Sequence, residues 1–312
     1  MKKTILAIAV IMTTAGTACG GKKQAEQAQA SNTPVVAPEQ ADAFDGRYIC
    51  SAKDSIEIEA LLKEAVEKKP GNKMLFFARK LLGRPYVAHT LETPGEEQLV
   101  VNMKEFDCTT YAETCEALTI CAAKGLTTLN DYLKTLRTLR YYDGKIQNYA
   151  SRLHYFTDRT EENVKKQLVK EVQGPNPPFT AIQTIDLHFM TANPQYYKQL
   201  KENPELIPLI RQNEEKMNGK KYRYIPKSLI GNNALMKKAV KDGDIIAILT
   251  SKDGLDTTHI GIAVWHKDGL HLINASALKS RKKTVEETMT FKQYMDNQKS
   301  SIGIRVIRVL NN

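Results

Sequence analysis

The sequence predicts an α+β domain, with helices first and an antiparallel sheet afterwards. Three observations carry this. Apolar residues recur at helical spacing between residues 54 and 141, β-branched runs dominate after residue 243, and six prolines break up the chain between Tyr149 and Ile225.

The chain opens with Lys2 and Lys3, then an apolar run from Ile5 to Met12, then small residues to Ala18. This is the order of a secretory signal, and it is too short to span a bilayer. Thr17-Ala18-Cys19-Gly20 places a cysteine where an ordinary signal ends at a small residue, which resembles a bacterial lipobox and implies lipidation of Cys19. Gly16 stands where such boxes most often have Leu, and plain secretion after Ala18 is the alternative. Either route exports the protein, so we expect it in the cell envelope, anchored through Cys19 and facing the periplasm. Residues 19–46 have almost no large apolar side chains and cannot bury enough surface to offset chain entropy, so they read as a tether. Residues 47–312 show no repeat and fit one catalytic domain, expected as a monomer.

The net charge is +10. Basic residues are interspersed with acidic ones along most of the chain, which suits solubility and an anionic ligand better than a binding stripe. An exported protein with one Trp and no recognisable binding motif is not expected to bind nucleic acid. Besides Cys19 there are Cys50, Cys108, Cys115 and Cys121. On one helix, Cys108 and Cys115 stand about 10 Å apart along the axis, and Cys115 and Cys121 about 9 Å, at ~1.5 Å per residue. Bridged Cα atoms need to lie within roughly 7 Å, so only Cys50 has a conceivable partner and at least two thiols stay free.

Asp54 and Ser55 precede the stripe Ile58, Leu61, Leu62, Ala65, so a first helix runs to about Lys69 and stops at Pro70-Gly71. A second carries Met74, Phe77, Ala78, Leu81 and Leu82 and ends at Gly83. Leu99–Met103 reads as a strand, residues 108–124 as a helix with Cys108, Ala112, Cys115 and Thr119 on one face, and Leu129–Tyr141 as another helix. The insertion at about 149–225 reads as loop-rich, with one short helix near Glu161–Val172, and is expected to shape a binding site. Strands follow at 244–249, 259–265, 269–274 and 302–310.

Cys108 begins a helix, where unpaired N–H groups and the positive dipole end favour a thiolate. His259 opens an apolar strand, where a base is held rather than floating. A hairpin turn at 265–270 would place Asn274 near His259, with its amide oxygen fixing the tautomer. Taken singly, each is more often a core cysteine, a packing histidine or a turn asparagine.

Five motifs change that weighting: Leu82-Gly-Arg-Pro-Tyr86, Phe106-Asp-Cys-Thr-Thr110, Asp242-Gly-Asp-Ile-Ile246, His259-Ile-Gly-Ile-Ala263 and Leu272-Ile-Asn-Ala-Ser276. Their order and context resemble the NlpC/p60 cysteine amidases, which implies a papain-like core, Cys108 as nucleophile, His259 as base and Asn274 as third member. Many relatives have His at that third position. Tyr86 resembles the family's tyrosine beside the nucleophile, and Asp107 the acidic residue that helps define the substrate end. Together with Ser151-Arg-Leu-His-Tyr-Phe156, the chain is similar to a branch once labelled a domain of unknown function, whose members are N-acetylmuramoyl-L-alanine amidases. This implies cleavage between the lactyl group of an anhydro-muramoyl sugar and the first L-alanine, with peptidoglycan fragments as partners and Arg152, His154 and Tyr155 as substrate contacts. The rival for His154 and Tyr155 is a role in anchoring the insertion.

No cofactor or metal is expected, because the six histidines show no HExxH spacing and the cysteines no paired CxxC. Two rivals keep the same cleft. One is a γ-D-glutamyl-diamino acid endopeptidase, and the other a non-catalytic, glycan-binding envelope lipoprotein.

Overall fold

Ser51 starts the first helix by accepting a hydrogen bond from the Asp54 N–H at 3.1 Å, three residues before the expected start. In the computed structural model, which describes residues 43–310, α1 (Ala52–Lys68) buries Ile58, Leu61, Leu62 and Ala65, and Lys69 ends it in the left-handed region. Asn72 caps α2 (Lys73–Lys80), and α3 (Cys108–Ala123) and α4 (Leu129–Arg140) follow. Every residue of α3 from Thr110 to Ala122 is buried, so it is a central helix enclosed on all sides rather than a surface helix with one apolar face. Glu113 and Glu116 are tolerated there because Arg140 and Arg159 reach in, with Arg140 2.9 Å and Arg159 3.2 Å from Glu113, and Arg159 also pairing with Glu116.

A short parallel pair, β1 (Tyr48–Ile49) with β2 (Leu99–Val100), stands apart from the main sheet. The main sheet has eight antiparallel strands: β3 (Val169–Val172), β4 (Ala181–Thr184), β5 (Lys221–Pro226), β6 (Ile245–Thr250), β7 (Thr257–Trp265), β8 (Leu270–Ser276), β9 (Lys283–Glu286) and β10 (Ser301–Val309). The path is β4-β5-β10-β6-β7-β8-β9, and β3 shares the outer edge of β10 with β5. Pleating divides the strands between two cores. Ile245, Ala247, Ile260, Ile262, Ile273 and Ile307 face the helices α1 to α4, and Ile246, Ile248, Ala263, Leu272, Ile304 and Val306 face the opposite core. That second core is closed by α9 (Asn233–Ala239) and α10 (Phe291–Asp296) through Met236, Phe291, Tyr294 and Met295. Neither helix was visible in the apolar spacing, and both are under eight residues.

The region 149–225 is less irregular than its prolines suggest. It holds α5 (Phe156–Lys165), α6 (Phe189–Ala192), α7 (Lys198–Glu202), α8 (Ile207–Met217) and the strands β3 to β5. Pro194, Pro204 and Pro208 sit in the first turns of helices, where a missing N–H costs nothing. The single helix expected near Glu161–Val172 begins earlier, at Phe156. It stops because Gln167 takes a positive φ of 58°, after which Val169–Val172 pair with β10. Tyr149, Tyr155, Ile185, Leu187, Met190, Leu200 and Ile210 form a third core inside this region.

The expected tether ends short of residue 46. Phe44 packs on the main core under the Arg137 guanidinium, 4.7 Å from carbon to ring centroid, and Asp45 pairs with the same arginine. The signal, Cys19 and the rest of the tether lie outside the described residues. Among the described residues, no helix is long and apolar enough to cross a membrane.

Candidate active site

Asp107 builds the tip of α3. Its carboxylate accepts from the Thr110 N–H at 2.8 Å, and its own N–H donates to the Thr110 hydroxyl at 2.9 Å, a reciprocal cap that leaves Cys108 as the first helical residue. Cys108 is only partly buried, and it lines one cavity with His259 and Ile260. Ile260 follows His259 on β7 and belongs to the core on which Cys108 packs, so the tip of α3 and this strand border the same space. Among the described residues Cys50, Cys108, Cys115 and Cys121 are all unbridged, and Cys115 and Cys121 are sealed in the core.

His259 is held through one ring nitrogen. Its Nε2 lies 3.0 Å from Oδ1 of Asn274, whose Nδ2 donates to Oε1 of Glu287 at 3.3 Å. A carboxylate only accepts, so Glu287 draws the NH₂ of Asn274 toward itself and turns the amide oxygen to His259. That oxygen also only accepts, so the proton sits on Nε2 and the lone pair of Nδ1 is free. Glu287 is buried, with Arg281 3.4 Å away as its counter-ion. The strand register makes this contact. Ile262 pairs with Ile273, so one step further Gly261 faces Asn274, and His259 is its diagonal neighbour on the same face. A Cβ on Gly261 would stand 2.7 Å from the Leu272 side chain and 3.0 Å from the Ile273 carbonyl, so glycine lets the two strands close here.

Burial sets the protonation states. It pushes the Cys108 thiol up to about 11, the Asp107 carboxylate adds to the rise, and the Ile260 N–H opposes it. Burial also holds His259 below 6.5, with the Asn274 bond opposing. Burial thus works against the thiolate expected at the helix tip and favours a neutral thiol and a neutral imidazole in the free protein.

Cys108 and His259 line one cavity of about 220 Å³. Its other walls come from α5 and its lead-in, including His154, Tyr155 and Arg159, from Met190 and Tyr197, and from Leu255 to Thr258. A second cavity of about 190 Å³ shares Thr109, Leu153 and His154 with the first and adds Asp107, Glu92 and Arg152.

The proposed substrate contacts differ in how free they are. Arg152 is buried, and its guanidinium is engaged by Glu97 at 2.8 Å, Glu92 at 3.2 Å and the Leu91 carbonyl at 3.3 Å. Tyr155 is also buried; its hydroxyl donates to Glu214 at 2.7 Å and accepts from the Met190 N–H at 2.9 Å. Asp107 is occupied as a cap. His154 keeps a free face: Nε2 donates to the Tyr149 carbonyl at 2.8 Å, which leaves Nδ1 as an acceptor, and burial with the nearby Arg152 lowers it to about 3. Tyr86 is partly buried and its hydroxyl is raised to about 12 by burial, then by Cys108 and Asp107. Sequence reasoning missed Glu287, Arg159 and Asp256. Two glutamates three apart on a buried helix were the available sign of Arg159. Asp256 is buried and accepts from the Thr157 N–H at 2.7 Å, capping α5 from the β6–β7 loop.

Several solved structures are similar to this chain as a whole. An N-acetylmuramoyl-L-alanine amidase from Bacteroides uniformis is 37% identical, with 76% of this chain and 97% of that chain covered and a TM-score of 0.70. A Bacteroides fragilis protein that carries the name of a xylanase is 35% identical over 75% of this chain and all of its own length (100%), at a TM-score of 0.69. A Legionella pneumophila protein, 21% identical over 84% of this chain and 97% of its own, shares the fold at a TM-score of 0.58. No curated protein matches the chain. The model of the AmiA-like family, described as N-acetylmuramoyl-L-alanine amidase-like, matches residues 76–304, and the chain belongs to that family.

Proposed function

We propose that the chain is a thiol-dependent N-acetylmuramoyl-L-alanine amidase of NlpC/p60 type. On this reading it cuts the lactyl–L-alanine bond of GlcNAc-1,6-anhydro-MurNAc-peptides on the periplasmic side of the cell envelope, where Cys19 anchors it. The observation that carries the reading is that Cys108 and His259 face one cavity while Asn274 and Glu287 hold the His259 proton on Nε2. A helix-tip thiol that shares a cavity with a strand of an antiparallel sheet is also what a papain-like core supplies.

The steps follow from the neutral pair. Nδ1 of His259 takes the Cys108 proton as the sulfur attacks the lactyl carbonyl carbon, so the buried thiolate forms only as it is consumed. The oxyanion is met by the Cys108 N–H and the Tyr86 hydroxyl. The C–N bond then breaks as His259 passes the proton to the departing alanine nitrogen. Water, deprotonated by His259, next attacks the lactyl thioester and frees the sulfur. His154 Nδ1 offers an acceptor to the sugar or the first amide N–H.

The B. fragilis relative's name suggests glycan hydrolysis instead. That chemistry needs two carboxylates about 5 to 9.5 Å apart. Asp256 is the single carboxylate lining the cavity among the described residues, and it is occupied by α5, which favours the amidase reading.

Mass spectrometry of anhydro-muropeptide digests tests the proposal. Intact stem peptide should appear with wild type in the presence of EDTA, and Cys108→Ala should lose at least 10³-fold in rate. Release of L-Ala-γ-D-Glu would move the cut to the endopeptidase site. Ligand binding without turnover would leave a glycan-binding lipoprotein.

A further inference from the structure

His266, Asp268 and His271 meet at the tip of the β7–β8 hairpin, at the opposite end of β7 from His259. One potential ligand atom from each lies within 4.8 Å of those of the other two. The turn that gathers them is closed by the His266 N–H donating to the Gly269 carbonyl at 2.8 Å.

The hydrogen bonds around the histidines carry the argument. His271 is buried, and its Nδ1 lies 2.9 Å from the Glu287 carbonyl, which only accepts, so that nitrogen holds a proton. The lone pair of Nε2 then faces the Asp268 carboxylate at 3.0 Å. Two electron-rich atoms repel at that separation unless positive charge joins them, supplied by a second proton or by a cation. His266 is aimed in the same manner, its Nε2 2.8 Å from Oε1 of Glu286, and the two rings lie 4.3 Å apart between centroids. Imidazoles held by an outer oxygen through one nitrogen, with the other left as ligand, are the usual way proteins orient histidines on a metal.

We propose that this hairpin tip is a binding site for a borderline divalent transition metal, Zn²⁺ foremost, held by His266, Asp268 and His271 with water completing the shell. The ion would staple the hairpin and stand outside the amide chemistry. The link to the active site is structural: the carbonyl of Glu287 holds His271, while its carboxylate holds Asn274.

The test is a Co²⁺ titration of metal-free full-length protein carrying no polyhistidine tag, followed by visible absorption, together with Zn²⁺ melting curves. Wild type and Cys108→Ala should each bind one ion and gain Tm with Zn²⁺. His266→Ala and Asp268→Asn change exposed side chains, and each should bind at least ten times more weakly and lose the Tm gain. Wild-type affinity in both variants, loss of binding in Cys108→Ala, or no Co²⁺ spectrum with no Tm gain in wild type would each overturn the proposal.

Discussion

Oδ1 of Asn274 stands 3.0 Å from Nε2 of His259, and the amide is oriented from behind by buried Glu287. If this relay sets the tautomer, Asn274→Ala should lower kcat by about 10² to 10³-fold, the range a misplaced general base costs, with KM little changed. Glu287→Gln should cost about tenfold or more, because a glutamine can present its own NH₂ to Asn274 and let the amide turn over. The pH profile of kcat/KM, with activity taken per folded molecule, separates these from a fold defect, which would lower the active fraction and leave the profile intact.

The acid limb of kcat/KM should have its midpoint below 6.5, since burial holds His259 there and the reaction needs it unprotonated. Because the thiol is pushed up to about 11, ultraviolet absorption should show no thiolate at neutral pH. In Asn274→Ala the bond that raises His259 is gone, and the residual activity should show its acid limb at still lower pH. A thiolate visible at pH 7 would mean that the neutral pair is the wrong ground state.

Arg152 is a prediction about stability. Its removal strands Glu97, whose side chain is only 4% exposed, so Arg152→Ala should cost about 3 to 5 kcal/mol in urea unfolding. A variant with unchanged stability and a raised KM would instead make Arg152 the substrate contact that its motif suggests.

Much of this was legible from local chemistry. The stripe Ile58, Leu61, Leu62, Ala65 is a helix, the strand at His259 is a strand, and a hairpin turn near 265–270 sufficed to bring Asn274 to His259. What stayed hidden depends on tertiary contact. Glu287 lies past a strand of four residues, β9, too short to show a period, and it matters only because β8 runs between it and His259. Cys108 illustrates a competition that composition does not reveal: the helix tip is where it was expected, but the surrounding cavity wall makes desolvation the larger effect. Prolines 194, 204 and 208 misled because the same residue that breaks a helix also begins one.

Gly261→Ala should be destabilising by about 1 to 3 kcal/mol, the cost of forcing a methyl into packed core. Leu272 would have to move along with β8, and with it Asn274, so residual activity should fall by more than the loss of folded protein explains. Comparing activity per folded molecule, with folding read from circular dichroism, checks this; full specific activity would show that β7 and β8 need not approach so closely.

His154 should make stability depend on pH. Its folded value of about 3 lies below the ordinary 6.5, so between those values the unfolded chain holds more protons than the folded one and stability rises with pH. The contribution is fully present above about 6.5 and is lost as the pH falls toward 3. Urea midpoints across this window should therefore climb more steeply for wild type than for His154→Gln, which keeps an N–H for the Tyr149 carbonyl but does not titrate. Parallel slopes would place His154 in contact with water, free to meet substrate without tying the insertion to the core.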